Sequence, residues 1–269
     1  MSQTIEQERT KIMGILNVTP DSFSDGGKYS DVERAVERAK QLVHDGADII
    51  DIGGESTRPG AIQVGEAEEI KRVIPIIEAV AKEITVPISV DTYKSEVAKQ
   101  AIEAGAKIIN DVWGAKWDVR MAKVAAHYQV PIVLMHNRKD ATYSNLMQDV
   151  VKDLEESVSL CLDAGVQKDK IILDPGIGFA KTHEENLDVM RHLDDIVNMG
   201  YQVLLGTSRK SLIAKTLKLP VDERVEGTGA TVCYGIMKGC HIMRVHDVKE
   251  MARMATMMDA LMERDVHYG

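Results

Sequence analysis

Five polar side chains that could bind a ligand lie at the ends of apolar segments in this chain. Asp91, Asn110 and Asp174 end three apolar runs, and Lys210 and Arg244 lie at the ends of two later ones. Polar groups at the end of a buried strand need hydrogen-bond partners, which a ligand with several N–H donors would supply. A pyrimidinone-like ring with an exocyclic amine matches the two carboxylates, and its acceptors match Asn110 and Lys210. The alternative is that the two aspartates form ion pairs with Lys210 or Arg244.

A second group of residues suits a phosphorylated ligand. Arg58, Arg244 and His246 are cationic or can become so, and the planar fork of arginine fits a phosphate or diphosphate group. Ion pairs with neighbouring carboxylates are the alternative. Asn17 offers a hard oxygen, which Mg²⁺ accepts while keeping waters and phosphate oxygens as its other ligands. His136 ends another apolar run and is interpreted as a hydrogen-bonded wall residue rather than a metal ligand.

The segment TSRKS, residues 207–211, is predicted to begin a helix. Free backbone N–H groups at a helix start favour an anion such as a carboxylate, and the helix dipole adds to this preference. Capping explains Thr207, Ser208 and Ser211 without a ligand. It does not explain Arg209 and Lys210, because cations are disfavoured there unless an anion joins them.

Composition excludes several other classes of function. The net charge is -9 and the pI is near 5.4, which argues against binding to nucleic acid or to an anionic membrane. No apolar run approaches the length of a membrane span, and the N-terminus lacks a signal-peptide core, so a cytoplasmic protein is predicted. HExxH, GxSxG and clustered Cys/His motifs are absent. Cys161, Cys233 and Cys240 are interpreted as reduced thiols.

Apolar strand-like segments alternate with helical patterns eight times along the 269 residues. Strands of this kind are buried on both faces, and their number predicts an α/β fold, a (β/α)8 TIM barrel forming a single domain over 1–269. An open doubly wound sheet is the alternative, but no GxGxxG follows the first strand. Strand ends of a barrel meet on one face. The predicted strand-end residues are Asn17, Gly53 with Gly54, Asp91, Asn110, His136, Asp174, Lys210 and the pair Arg244 and His246.

Helices are predicted between these strands. Asp31 is expected to cap the first one, and Gly46 is expected to end it. The other predicted helices span 66–83, 94–105, 119–128, 146–164, a stretch after 182, 211–237 and the Met-rich segment at the end of the chain. Residues 13–27 are predicted to be a buried strand that leads into an active-site loop rich in Asp, Ser and Gly.

Seven segments resemble those of the bacterial dihydropteroate synthase family. They are NVTPDSFSDGG (17–27), GGESTRPG (53–60), SVDTYKSEVA (89–98), IND (109–111), DPGIGFAKT (174–182), TSRKS (207–211) and RVHDV (244–248). The resemblance covers nearly the whole chain. It implies a pterin-binding barrel that joins 6-hydroxymethyl-7,8-dihydropterin diphosphate to 4-aminobenzoate and releases diphosphate and 7,8-dihydropteroate.

The resemblance also implies residue roles. The pterin is expected to be held by Asp91, Asn110, Asp174 and Lys210, with walls from Val112, Met135 and Gly206. The diphosphate is expected to contact Thr57, Arg58, Arg244 and His246, together with Asn17 through Mg²⁺. The aminobenzoate is expected to meet Ser211 through its carboxylate and Pro59 and Phe179 through its ring. Loops 17–30 and 54–65 are expected to close over the site, with Asp21 and Asp25 steadying the first loop or the developing cation.

The expected chemistry depends on a departing diphosphate. Arg244 and His246 would neutralise that group together with Mg²⁺, while Asp91 and Asp174 would stabilise a cation-like pterin in a dissociative transition state. With Lys210, these four form the expected catalytic set. The rivals are a methyltransferase module that acts with a corrinoid protein and a catalytically silent pterin-binding paralogue. Sulfonamide binding is also implied, and Trp113 departs from the small residue usual in the family. A homodimer is expected through apolar helix faces late in the chain, with ordinary barrel packing as the alternative explanation of the Met-rich last helix.

Overall fold

Eight parallel strands close into a barrel in a computed structural model that describes residues 8–18, 28–56 and 63–264. Each strand pairs with its sequence neighbours, and β8 pairs with β1, so the sheet has no free edge. The strands are β1 (Lys11–Asn17), β2 (Ile49–Gly53), β3 (Ile88–Asp91), β4 (Ile108–Asp111), β5 (Ile132–Met135), β6 (Ile171–Asp174), β7 (Gln202–Leu205) and β8 (Ile242–Val245). The predicted TIM barrel is confirmed.

Helices lie between the strands and cover the outside of the barrel. They are α1 (Lys28–His44), α2 (Glu66–Glu83), α3 (Ser95–Glu103), α4 (Met121–Tyr128), α5 (Leu146–Asp163), α6 (His183–Arg191), α7 (Leu193–Val197), α8 (Ser211–Leu217), α9 (Val225–Met237) and α10 (Val248–Leu261). Asp31 is not the cap of α1, because that helix begins at Lys28 and Asp31 lies in its first turn. None of the described helices is long and apolar enough to cross a membrane.

The barrel interior has an apolar layer below its mouth, and this layer sets where the polar residues point. It consists of Met13, Ile49, Ile108, Val133, Ile172, Leu204 and Ile242. Side chains two positions apart on a strand share a face. The residue two positions after Ile108 is Asn110, and Asp174 and Arg244 follow Ile172 and Ile242 in the same way. Alternation along the strands therefore aims these polar groups into the barrel, one layer above its apolar floor.

The three cysteines do not form disulfides, as the sequence predicted. Cys161 and Cys240 are buried, Cys233 is half-buried, and all three are free. Burial raises the pKa of the Cys161 and Cys240 thiols to about 12, so they stay protonated and unreactive at neutral pH.

Gly176, just after β6, has no room for a side chain. Its φ is +68°, and a Cβ there would lie 1.9 Å from the carbonyl oxygen of His136. We expect Gly176→Ala to lower the free energy of unfolding by more than about 2 kcal/mol, since left-handed strain and a backbone clash add together. Urea denaturation measures the change.

Gly165→Ala is the matched control for this prediction. Gly165 also has a positive φ, +97°, but the nearest atom to its Cβ would be Ala126 Cβ at 3.9 Å. The free energy of unfolding of Gly165→Ala should therefore fall only by the cost of backbone strain, about 1 kcal/mol. Equal losses in the two variants would contradict the clash at Gly176.

Candidate active site

Arg244 joins two carboxylates inside the mouth of the barrel. Its Nε donates to Asp51 Oδ2 and its Nη2 to Asp91 Oδ2, both at 2.7 Å. Both aspartates are buried, and β8 supplies the arginine while β2 and β3 supply the acids. The ion pair that the sequence left open as an alternative is therefore present for Asp91. It uses one oxygen of each carboxylate, and the other two, Asp51 Oδ1 and Asp91 Oδ1, are buried without a hydrogen-bond partner.

Asn110 belongs to the same group. Its Nδ2 donates to Asp51 Oδ2 at 3.1 Å, and strand register places it beside Asp91. Burial raises the pKa of Asp91 to about 7, against the lowering effect of Arg244, and Asp51 adds to the increase. A donor that meets the free Asp91 oxygen would lower this pKa again, because hydrogen bonds to a carboxylate stabilise its charged form.

Asp174 and Lys210 form the opposite side of the mouth. Asp174 Oδ1 accepts from the backbone N–H of Gly176 at 2.7 Å, and Lys210 Nζ donates to the carbonyl oxygen of Ile177 at 2.6 Å. Burial raises the pKa of Asp174, while the charge of Lys210 lowers it. Burial lowers the pKa of Lys210 to about 8, although Asp174 opposes this effect. The lysine is thus a cation whose charge is sensitive to pH in the weakly alkaline range.

Apolar side chains form one wall of the mouth. Tyr93, Val112 and Met135 are buried in a cluster of their own, separate from the main core, and Trp113 and Phe179 pack against it. This cluster accounts for Trp113, the departure from the family pattern, because its ring lies on the wall and also 5.2 Å from the ring of Trp117.

Two further contacts complete the mouth. Lys210 Nζ lies 4.8 Å from the centre of the Phe179 ring, so the cation and the aromatic wall adjoin. Gly206, at the end of β7, borders the same space, since a Cβ there would lie 3.8 Å from both Lys210 Nζ and Arg244 Cβ. A flat heterocycle between the apolar wall and these polar groups would meet stacking and hydrogen-bonding partners together.

The segment 207–211 differs in part from its sequence interpretation. Arg209 donates to Asp247 through Nε at 3.0 Å, so its charge is neutralised without an anion at the helix start. The argument from two unexplained cations is therefore wrong for Arg209. Ser211 is exposed as the first residue of α8, and Ser208 Oγ lies 2.9 Å from His246 Nδ1.

The predicted metal ligand and loop residues are only partly described. Asn17 is exposed at the carboxyl end of β1. Across the described ranges, no group of three His, Cys, Asp or Glu side chains could hold a metal ion. The remaining predicted residues, Asp21, Asp25, Thr57, Arg58 and Pro59, lie outside the described residues.

The sequence and the structure both match known proteins. The family described as "Pterin binding enzyme" matches residues 13–246. The chain is 61% identical to a dihydropteroate synthase of Bacillus subtilis (strain 168), over 98% of this chain and 93% of that one. The chain belongs to the dihydropteroate synthase family. It is accordingly a transferase, and the recognition made from its motifs is confirmed.

Solved dihydropteroate synthases have the same barrel. One from Clostridium difficile, determined in the presence of pteroic acid, has a TM-score of 0.94 at 46% identity and covers 98% of this chain and 100% of its own. One from Xanthomonas albilineans with 4-aminobenzoic acid has a TM-score of 0.90 at 41% identity, with 95% of this chain and 94% of its own covered.

One residue of this dihydropteroate synthase site escaped the sequence interpretation. Asp51 lies in the middle of the apolar run DIIDIGG, whereas the residues predicted to bind the ligand lie at the ends of such runs. Its position two residues after Ile49 is the signal that could have found it, because that spacing aims it into the barrel. Asp51 holds Arg244 and Asn110 in place, each through its Oδ2 atom.

Proposed function

We propose that this enzyme condenses 6-hydroxymethyl-7,8-dihydropterin diphosphate with 4-aminobenzoate to give 7,8-dihydropteroate and diphosphate. The observation that carries the proposal is the arrangement of unpaired and pH-sensitive groups at one mouth. Asp91 keeps a buried oxygen without a partner, and Lys210, which lies against the Phe179 ring, is close enough to Asp91 and Asp174 for their charges to interact with its own. A pterin supplies both the N–H donors and the flat ring that such a mouth requires.

The pterin would bind edge-on to the polar groups. Its amine and ring N–H groups would donate to Asp91 and Asp174, while Asn110 and Lys210 would meet its oxygen and ring nitrogens. Val112, Met135 and Gly206 would line the ring, and Phe179 would pack at its outer side. The buried position of the two acids supports this arrangement, because only a well-paired ligand compensates for their loss of water.

The diphosphate would lie between β1 and β8. Arg244, His246, Thr57 and Arg58 would contact its oxygens. Asn17 fits a Mg²⁺ ion that takes its remaining ligands from water and phosphate, since its side chain is exposed and the described residues offer no cage of acids. When bound, Mg²⁺ would supply positive charge that neutralises the leaving group.

The bond to the leaving group would break early in the reaction. The methylene C–O bond cleaves, diphosphate takes the electron pair, and the aromatic amine then forms the N–C bond and loses one proton to solvent or diphosphate. Arg244 and His246 would stabilise the charge on the departing oxygens, and Asp91 and Asp174 the positive charge that spreads into the pterin. This order suits an aromatic amine, which is a poor nucleophile. Loops 17–30 and 54–65, including Asp21 and Asp25, would exclude water from the cation.

The aminobenzoate would bind at the outer rim. Ser211 begins α8, where free backbone N–H groups favour its carboxylate, and Phe179 and Pro59 would pack on its ring. Sulfonamides share the shape and charge of this substrate and would compete for the same rim. One relative, from Yersinia pestis, is described as a complex with a sulfonamide drug.

We further propose that the enzyme is a cytoplasmic homodimer. Large apolar side chains lie exposed on the last two helices, Met237 on α9 and Met257 and Leu261 on α10. These two helices also pack closely on one another. A second copy of the chain would remove this apolar surface from water.

Turnover with the two substrates is the direct test, and Asn17→Ala tests the metal assignment. We expect diphosphate release only when both substrates and Mg²⁺ are present. The variant should need at least about tenfold more Mg²⁺ for half-maximal rate, because the ion would lose its protein ligand. A coupled assay for diphosphate at varied Mg²⁺ measures both effects.

Asn198→Ala, an exposed asparagine at the end of α7, serves as the control. It should keep the wild-type Mg²⁺ dependence. An unchanged Mg²⁺ requirement in Asn17→Ala would remove Asn17 from the metal site, and absence of turnover in the wild type would reject the proposed reaction.

A further inference from the structure

The segment from Asp174 to Lys181 contains Asp174 itself and the Ile177 carbonyl that holds Lys210. Lys181, which has no role in the proposed reaction, holds this segment in place. Lys181 Nζ lies 2.8 Å from His136 Nδ1, 3.1 Å from the carbonyl oxygen of Gly176 and 3.2 Å from that of Phe179. One ammonium group thus uses all three of its hydrogens to close the segment on itself.

The contact with His136 fixes the tautomer of that ring. Burial lowers the pKa of Lys181 to about 7, so the ammonium form prevails below this pH. That form only donates, so His136 Nδ1 accepts and the proton of the neutral imidazole lies on Nε2. Nε2 faces Asp153 Oδ2 at 3.0 Å, where a donor is required. Burial lowers the pKa of His136 to about 3, and the nearby charge of Lys181 adds to this, in agreement with a neutral ring. Lys181, His136 and Asp153 therefore form a chain of hydrogen bonds with one consistent direction.

Asp153 anchors the outer end of this chain. It lies on α5 and also accepts from Arg138 Nη2 at 3.2 Å. His136 is 1% exposed, and its backbone N–H donates to the carbonyl oxygen of Asp174 at 2.9 Å. The lysine is consequently tied, through His136 and Asp153, to helix α5 and to the carboxyl ends of β5 and β6.

The same segment sets the positions of two pterin-binding groups. The N–H of Gly176 holds Asp174 Oδ1 at 2.7 Å, and the carbonyl of Ile177 holds Lys210 Nζ at 2.6 Å. Lys181 binds the carbonyl of Gly176 on one side of Ile177 and that of Phe179 on the other. Loss of its ammonium group would free the backbone that orients both Asp174 and Lys210.

We propose that Lys181, through His136 and Asp153, is a positioning residue that fixes the Asp174–Phe179 segment for pterin binding. The proposal rests on the pterin site described above. Lys181 acts through two carbonyl groups, so its removal should weaken pterin binding most. At the aminobenzoate rim it should loosen only Phe179, while Ser211 on α8 keeps its place. The charged groups around it are Asp174, Lys210, Glu185 and Asp153.

Lys181→Met tests this role, because it keeps the length of the side chain and removes the donor. We expect the Kd of 6-hydroxymethylpterin, measured by calorimetry, to rise about tenfold or more. The KM for the pterin diphosphate should rise similarly. The KM for 4-aminobenzoate should rise by a smaller factor, below about threefold, because its carboxylate contact at Ser211 is kept and only the Phe179 packing is loosened. Lys181→Gln, which keeps one donor, should lie between this variant and wild type and provides a second test if Lys181→Met folds poorly.

Two measurements separate positioning from a general structural effect. Nitrogen NMR of His136 should show the Nε2–H tautomer in wild type and a shifted Nδ1 signal in Lys181→Met, because that atom loses its donor; no ligand needs to be present. Lys181→Met combined with Lys210→Met should raise the Kd for the pterin by less than the product of the two single effects, because both act through the Ile177 segment. Lys71→Met, at an exposed position of α2, should behave as wild type.

Asp174→Asn distinguishes failure of this inference from failure of the pterin site. Weak pterin binding in Asp174→Asn together with wild-type binding in Lys181→Met would overturn the role of Lys181 alone. Wild-type binding in both would overturn the pterin site itself. Equal increases in the KM of both substrates in Lys181→Met, with an unchanged His136 signal, would reduce Lys181 to a structural residue and likewise reject the proposal.

Discussion

Lys210→Ala is expected to lower kcat/KM for the pterin diphosphate by about 10³-fold, because the variant loses the cation that would meet the oxygen and ring nitrogens of the pterin. Lys210 Nζ is held by the carbonyl of Ile177 at 2.6 Å and lies against the Phe179 ring, so its place is fixed before substrate arrives. A group oriented in advance need not be reorganised during the reaction, which is why its removal costs so much. Steady-state kinetics with both substrates measures the loss.

The pH dependence of the wild-type enzyme follows from the same residue. Burial lowers the pKa of Lys210 to about 8, so the side chain is charged below this pH and neutral above it. We expect kcat/KM to fall as the pH rises through about 8, and this decrease should vanish in Lys210→Ala.

The control for Lys210 is Lys215→Ala. Lys215 lies on the same helix, α8, and is exposed. It should keep wild-type kinetics and the wild-type pH profile. A loss below about tenfold in Lys210→Ala would exclude Lys210 from the reacting centre.

The convergence of the site could be predicted from the sequence because the even-numbered strands repeat one simple pattern. Ile108 and Asn110 illustrate it, as do Ile172 and Asp174: an apolar residue of the barrel floor is followed two positions later by a polar residue at the mouth. Period-two alternation, together with the closure of eight parallel strands, is enough to bring these residues together. The convergence of the site was therefore predictable without knowledge of the loops.

What the sequence could not predict depends on local backbone geometry. Arg209 has a φ of +59°, and this turn directs its side chain to Asp247 on another element. Lys181 contacts His136, 45 residues earlier, after the chain has turned through positive φ at Gly176, Gly178 and Ala180. Such turns are set by the packing of neighbouring elements, which periodicity does not report.

Arg244→Ala should lower both the activity and the free energy of unfolding, and the loss in the free energy of unfolding should depend on pH. The variant removes the fork that joins Asp51 and Asp91, and with it a cation beside the departing diphosphate, so we expect kcat/KM to fall by about 10³-fold or more. It also leaves two buried carboxylates without their partner. Breaking a buried pair from one side typically costs about 3–5 kcal/mol in the free energy of unfolding.

The stability loss should grow with pH. With Arg244 present, burial already raises the folded-state pKa of Asp91 from 3.8 to about 7, and removal of the arginine takes away the effect that lowers it. A carboxyl with a raised folded-state pKa destabilises the protein only above its unfolded pKa of about 4, because below this pH both states are protonated. We therefore expect a small loss at pH 5 and the full loss at pH 8, measured by urea denaturation at both values.

Arg244→Lys is the matched variant, since it keeps the charge and removes the planar fork. Because the lysine keeps a positive charge beside the two acids, we expect most of the stability at pH 8 to return. Because a single ammonium cannot hold Asp51 and Asp91 in the geometry of the guanidinium, we expect kcat/KM to stay at least about tenfold below wild type. A stability loss in Arg244→Ala that is equal at pH 5 and pH 8 would mean that the missing packing of the side chain, rather than an uncompensated Asp91, causes it. Wild-type turnover in Arg244→Lys would mean that charge alone stabilises the leaving group, and that the bidentate geometry serves only to hold the two acids before the substrate binds.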